Sequence, residues 1–326
     1  MITLIHIDSL NGVNYHRLIV PLRRLSSTSD VQFHWIKKLT ELKDMDLSLV
    51  DNLIISRKAS ITNHRNFRRM LDKYNVRLIL DNDDYWNLNY DNPAYPIYEG
   101  YVKHDIQKTI AISDELWTPS RFLAKQMKRL NEKAVIRVIP NTINTEEEQW
   151  SVPKGETDVV RFGYVGALGH AKDLELMGMT FEDHELYCAN IGLYVEQLKA
   201  KYAMDALDIF NYGRMYAMFD VSLAPLSGGK FNNSKSDLKV VEAGYTKTAL
   251  IASNITPYKQ SIEHGKTGIL CSNYDDWKYA IKNMTLEHAK ELAGNLNEFV
   301  VNNYDLDDLN KIRLEGVQSI KMDVTM

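Results

Sequence analysis

The sequence predicts an α/β protein of two domains, each a parallel sheet with crossover helices, facing each other across a cleft. Three observations carry this. Short β-branched runs alternate with amphipathic stretches along the whole chain. A polar stretch rich in acids and containing Pro153 and Gly155, residues 144–157, interrupts the alternation near the middle. The length of 326 residues suits two domains of ordinary size.

In the first half, Ile2–Asp8 reads as a buried strand, followed by a turn at Asn11-Gly12-Val13-Asn14 and a helix with Leu18, Leu22 and Leu25 at helical spacing. Strands are expected at Val31–Ile36, Asn52–Ser56, Val76–Leu80, Leu116–Thr118 and Val135–Ile139. Helices are expected at Asn63–Tyr74, near Val102–Ile112, and from Pro119-Ser120 onward. Between Asp81 and Tyr98 the chain is polar, aromatic and irregular, the kind of long loop that carries function. The second half opens with a strand at Val159–Val165 running into Gly166-Ala-Leu-Gly-His-Ala-Lys172. Further strands are expected at Leu186–Ala189, Val221–Ala224, Ala249–Ala252 and Gly268–Leu270, with helices at Ser236–Tyr245 and Tyr274–Met284. From Leu286 to about Ile320 nearly every residue favours helix. The expected domains are 1–150, 151–300, and a C-terminal helix over 301–326 that returns to the N-terminal domain.

A hydrophobic fraction of 44% supports a sizeable core. Cys188 and Cys271 are far apart and lack partners at metal spacing, which excludes a disulfide framework or a zinc site and fits a reducing, cytoplasmic setting. The N-terminus lacks the basic and apolar regions of a signal peptide, and no apolar run approaches a membrane span. The net charge of −4 is uneven: residues 1–150 balance to +2 and the remainder to −6. Arg57, Lys58, Arg65, Arg68, Arg69, Lys73 and Arg77 stand among a single acid, Asp72. These read either as solvated helix faces or as a surface for an anionic partner such as nucleic acid or a phosphorylated glycan.

The most informative stretch is Asn233-Ser-Lys-Ser-Asp-Leu-Lys-Val-Val-Glu242. Its small polar residues are expected to open a helix whose free N–H groups favour an anion, with Lys235 adding a charge. Lys239 and Glu242 follow Lys235 at steps of four and three, so all three are expected to share one helix face. A diphosphate would sit on Lys235 and the helix start at Ser236, and the Glu242 carboxylate would suit a ribose diol. Asp81-Asn82-Asp83-Asp84 admits three readings: ligands for a metal–diphosphate complex, contacts to an acceptor or sugar hydroxyl, or loop-capping carboxylates. Tyr85, Trp86, Tyr90, Tyr95 and Tyr98 supply stacking surfaces or a packed lid.

These stretches resemble the retaining glycosyltransferases of the two-Rossmann GT-B fold, in the glycogen-synthase-like group. The resemblance rests on Gly12 after the first strand, Ile139-Pro140-Asn141, Phe162-Gly163-Tyr164-Val165-Gly166, Asp220–Pro225, the Lys235–Glu242 stretch, and Ala249–Ser253 with Pro257-Tyr258. It extends to the short enzymes of this type encoded by tailed bacteriophages. It implies sugar transfer, with retention, from a nucleotide-diphosphate sugar (a UDP-sugar as co-substrate, no further cofactor, no metal) to an acceptor hydroxyl, in the cytoplasm of a cell or of a phage's host. Implied donor contacts are Gly12, Asn14, Gly166, Lys172, Tyr212, Arg214, Lys235, Ser236, Lys239 and Glu242. Read from the residues beside this resemblance, the candidate acceptor contacts are Arg17, Arg65, Arg69, Asp81, Asp83 and Trp86, with Asp84 and Lys235 at the reacting centre. Ser234 stands where the family carries the first glutamate of Glu-x7-Glu, and Ala167 where it carries an arginine, so the sugar is not identified. The acceptor is a hydroxymethylated base of phage DNA, or a glycan or lipid-linked saccharide. A non-catalytic nucleotide-sugar-binding module is the reading from another class.

Overall fold

The computed structural model describes residues 1–88, 90, 92, 94–166, 170–181, 183–189, 198–205 and 207–319. The chain falls into two units. The first comprises Met1–Asn141, Ser234–Ser236 and Leu306–Met326; the second comprises Thr142–Asn233 and Asp237–Asp305.

The first unit is built on a parallel sheet in the order β2-β1-β3-β4-β5-β6. The strands are β1 (Ile2–His6), β2 (Gln32–Ile36), β3 (Asn52–Ser56), β4 (Arg77–Asp81), β5 (Glu115–Thr118) and β6 (Val135–Val138). Every residue of β3, β4 and β5 is buried, as expected for strands covered by helices on both faces. The strand order reverses between β1 and β3, so the loops after these strands meet at a switch point. There Asn11 caps the helical turn Gly12–Asn14 by accepting from the Asn14 N–H at 2.9 Å. The run continues through a wide turn, Tyr15–Ile19, into the helix Val20–Thr28. The expected irregular segment after β4 is partly helical, with turns at Tyr95–Ile97 and Tyr98–Val102 leading into Lys103–Ile112.

The second unit has a parallel sheet in the order β12-β11-β10-β7-β8-β9, with its switch point between β7 (Arg161–Val165) and β10 (Val221–Ala224). β8 (Glu185–Ala189), β11 (Ala249–Ser253) and β12 (Ile269–Cys271) lie close to their expected positions. The edge strand β9 (Tyr202–Met204) was not foreseen; it is too short to show alternation, and Tyr202 is held by stacking on Tyr187 with ring centroids 4.3 Å apart.

One expectation needs correction. The helix expected from Ser236 begins at Leu238 and runs to Tyr245, so Lys235 lies outside it and does not share its face with Lys239 and Glu242. Ser236 gives no helix start because Asp237 holds the N-cap position, with its carboxylate bonded to the hydroxyls of Ser261 and Tyr304. The C-terminal helical stretch is two helices, Leu286–Asn303 and Leu306–Gln318, broken where the same Tyr304 is tied down by its hydroxyl and by its carbonyl, which accepts from Thr142. Leu306–Gln318 packs in the first unit: Asp307 pairs with Arg24 at 2.8 Å, Asn310 donates to the Pro21 carbonyl at 3.0 Å, and Asn52 donates to the Val317 carbonyl at 3.0 Å.

Candidate functional site

In the second unit the helix Leu238–Tyr245 buries Glu242, which is 2% exposed. Its Oε2 accepts from the Tyr216 hydroxyl at 2.6 Å and from Lys239 Nζ at 2.9 Å. Lys239 also donates to the Tyr212 hydroxyl and lies 5.1 Å from the Tyr212 ring centroid. Burial pulls the Lys239 ammonium down, but Glu242 and the two phenols outweigh it and hold the group well above its usual range. Burial, with the Glu242 charge second, pushes the Tyr212 phenol up to about 12. Tyr164, at the end of β7, is raised first by burial and feels both Lys239 and Asp173. The cluster therefore gathers at the carboxyl end of the switch-point strand, where ligands of open α/β sheets bind.

Beside it stands a second network. Asp173, 4% exposed, accepts from the Ser227 N–H at 2.7 Å and lies 2.7 Å from His170 Nδ1. Asn232 Nδ2 closes it by donating to the Ser227 carbonyl at 3.0 Å. Gly166 follows β7, and a Cβ there would lie 2.3 Å from the Tyr164 hydroxyl, so a larger residue would have to displace that ring. At Gly12 a Cβ would meet no atom within 4 Å, so packing makes no such demand. Arg214 is exposed and lies 3.6 Å from Glu148. The Lys172 side chain, Ala167 and Leu168 lie outside the described residues.

The remaining predicted residues belong to the first unit. Arg17 and Asp81 are both fully buried and form a two-pronged pair, Nε to Oδ1 at 2.6 Å and Nη2 to Oδ2 at 2.8 Å. Arg17 also donates to Asn141 Oδ1 at 2.6 Å, and Asn141 donates to Ser236 Oγ at 2.9 Å. The Ser234 carbonyl accepts from Ser120 at 2.8 Å, and Lys235 Nζ lies 3.3 Å from Asp84 Oδ1. Lys235 and Asp84, assigned together to the reacting centre, are thus brought together, while Arg17 and Asp81 are committed to each other. Asn14 is buried, donating to the Ser9 carbonyl at 2.7 Å and accepting from Ser56. Trp86 is buried against Tyr85, with ring centroids 4.8 Å apart. Arg65 and Arg69 are exposed on the helix His64–Lys73. The carboxylates Asp81, Asp83 and Asp84 are matched by arginine and lysine side chains, and among the described residues no group of histidines, cysteines and acids is arranged to hold a metal ion.

Sequence reasoning missed Asp173 and Tyr216, which carry no local signal and enter through tertiary packing. In the sequence, Arg57 and Tyr98 read as part of a basic surface and of a stacking loop, not as a joined pair whose guanidinium meets Asp84.

No family model matches the chain, and no curated protein matches it. Solved structures do. A glycosyltransferase from Rickettsia africae is 13% identical, with 99% of each chain covered and a TM-score of 0.62. An E. coli trehalose-6-phosphate protein bound with UDP-2-fluoro glucose is 10% identical, with 98% of this chain and 99% of that chain covered and a TM-score of 0.66. TarM is 14% identical with a TM-score of 0.62; the match covers 86% of this chain and 57% of TarM, so the chain spans little more than half of TarM's length. A TarM variant from S. aureus has been solved with UDP. The likeness defines the class of architecture: this is the two-domain α/β GT-B fold.

Proposed function

We propose that the chain is a glycosyltransferase that moves a sugar, with retention, from a UDP-sugar to an acceptor hydroxyl. The observation that carries this reading is the buried Glu242–Lys239–Tyr212–Tyr216 cluster at the switch point of the second sheet. A buried carboxylate there can accept two hydrogen bonds from a ribose diol, and Tyr212 offers a ring face for the base. Gly166 lets the backbone approach the donor, with Lys172 and Arg214 contributing cations and Gly12 and Asn14 the loop of the first unit. Lys235 and Ser236 would meet the diphosphate, where fixed donors stabilise the departing charge. Asp84 would face the reacting hydroxyl, and the leaving phosphate would take its proton.

On the acceptor side, Asp83 and Trp86 would frame the hydroxyl, with the Arg17–Asp81 pair supporting them. We favour a saccharide acceptor over DNA because three of the arginines that suggested an anionic partner, Arg57, Arg68 and Arg77, are engaged in internal ion pairs. Arg65 and Arg69 stay exposed, as do Arg121, Lys125, Lys128, Arg129 and Lys133 of the basic cluster further along the chain. Calorimetric titration with UDP and a panel of UDP-sugars tests the donor reading. Wild-type chain should bind UDP, and Glu242→Gln should weaken it about tenfold, or about 1.4 kcal/mol. Equal affinity in the two proteins would remove Glu242 from the site. Donor binding with neither transfer nor UDP release across a set of acceptors would instead support the binding module.

A further inference from the structure

Arg57 is the first residue after β3 and takes the left-handed conformation, with φ of 61°. That is a strained choice for arginine, and it persists only where the surroundings enforce it. Its N–H donates to the Asp81 carbonyl at 2.7 Å. Its guanidinium Nη2 donates to Asp84 Oδ2 at 2.7 Å and to the Tyr98 hydroxyl at 2.9 Å. Its Nε lies 3.4 Å from Asp83 Oδ1, an ion pair too long and poorly aligned to be a hydrogen bond, so both atoms are buried without one. Two adjacent carboxylates thus share one rigid guanidinium, and Asp84 also meets Lys235, at 3.3 Å.

We propose that Arg57 is the positioning residue that holds Asp83 and Asp84 together as a carboxylate pair at a neutral acceptor hydroxyl, with Asp84 the member that orients it. This rests on the reading of Asp84 as the carboxylate at the reacting hydroxyl. Two close carboxylates resist ionising together. Burial first, then the Asp84 charge, pushes the Asp83 carboxyl up to about 6, while Arg57 and Arg17 pull it down and Asp81 pushes it up. The groups facing the pair are therefore Arg57 from the end of β3, Arg17 from the first helical run, Asp81 from β4, Tyr98 from the following helical turn, and Lys235. Orienting the hydroxyl falls to Asp84, whose side chain is 18% exposed, while Asp83 Oδ1 is buried, and it needs no transfer of the acceptor's proton to either carboxylate.

The test is a carbon-13 carboxyl titration of the full chain labelled at aspartate, with Asp83→Asn assigning the signal. One aspartate should titrate near pH 6. It should move up by about one unit or more in Arg57→Gln and return toward 6 in Arg57→Lys, which keeps the charge. Asp84→Asn should move it down, because the like charge is gone, and this variant keeps the test open if Arg57→Gln does not fold. No aspartate titrating above about 5, or a signal unmoved by both Arg57→Gln and Asp84→Asn, would overturn the proposal. UDP binding by the wild-type chain is measured alongside. Its absence would count against the donor reading while leaving the titration to judge Arg57.

Discussion

The Lys239–Glu242 pair sets what a mutation at the candidate donor site must cost. The two side chains are 23% and 2% exposed, so the carboxylate is almost wholly removed from water and the ammonium mostly so. Truncating Glu242 to alanine leaves Lys239 with phenol partners only and removes the acceptor of the Tyr216 hydroxyl. Losing one partner of a fully buried pair costs about 3–5 kcal/mol, and the partial exposure of Lys239 lowers that to about 2–3 kcal/mol. Lys239→Met alone leaves Glu242 with Tyr216 and should cost a similar amount. The double variant Lys239→Met, Glu242→Leu should cost about 2 kcal/mol less than the sum of its singles, because it leaves no unpaired charge. Urea unfolding at pH 7.5 reads this through Trp150 and Trp277, the two tryptophans of the second unit. Strictly additive costs would show that the pair is not coupled, and the account of the site as a charge-matched cluster would fail. The same numbers explain why Glu242→Gln, which keeps a hydrogen-bonding head, is the variant to use for donor affinity.

Two further predictions follow from buried groups. Arg313 is fully buried, its Nε and Nη2 lack hydrogen-bond partners, and burial lowers it to about 9, with Arg17 adding to the effect. The unfolded chain then binds more protons between that value and the usual arginine range, so the cost is complete at neutral pH and fades as pH rises through 9. Arg313→Met should therefore stabilise the protein by about 2 kcal/mol at pH 7.5, with a smaller gain at pH 10.5, in thermal melts; a loss at pH 7.5 would show that the guanidinium has a favourable partner. Gly166→Ala places a methyl 2.3 Å from the Tyr164 hydroxyl, so that ring or β7 must shift. It should destabilise by about 1–3 kcal/mol and weaken UDP, and Tyr164→Phe should recover part of the loss; a neutral effect on both measurements would remove Gly166 from the donor site.

The sheets were legible because their strands are covered on both faces, so Leu53-Ile54-Ile55 and Leu78-Ile79-Leu80 read as unbroken aliphatic runs. The polar features were less legible, for one physical reason: their partners are distant in sequence. Asn233 and Ser236 look like cap residues, yet the helix waits for Leu238 because Asp237 is tied to Ser261 and Tyr304. Arg17 and Asp81 look like ligand-binding residues at the ends of a strand and a turn, but they are matched across 64 positions. Arg57 was counted among basic residues of a surface patch and proves to be the cation of two aspartates.

That last reassignment extends to three further arginines of the basic half. Arg77 and Arg137 both pair with Glu115, which is wholly buried, and Arg68 reaches Asp72 and Asp114. These arginines pin neighbouring strands and a helix to one another, which is a structural use of charge. Each phosphate contact adds about one to the slope of log affinity against log salt, so contact through Arg65 and Arg69 alone gives a slope near −2. Fluorescence anisotropy with hydroxymethylated DNA between 50 and 200 mM salt reads that slope directly. A slope of about −6 or steeper, reduced by Arg65→Ala with Arg69→Ala, would mean that further exposed cations such as Arg121 and Lys125 join the contact and would restore the DNA acceptor; a shallow slope or no binding leaves the neutral hydroxyl acceptor proposed for Asp84.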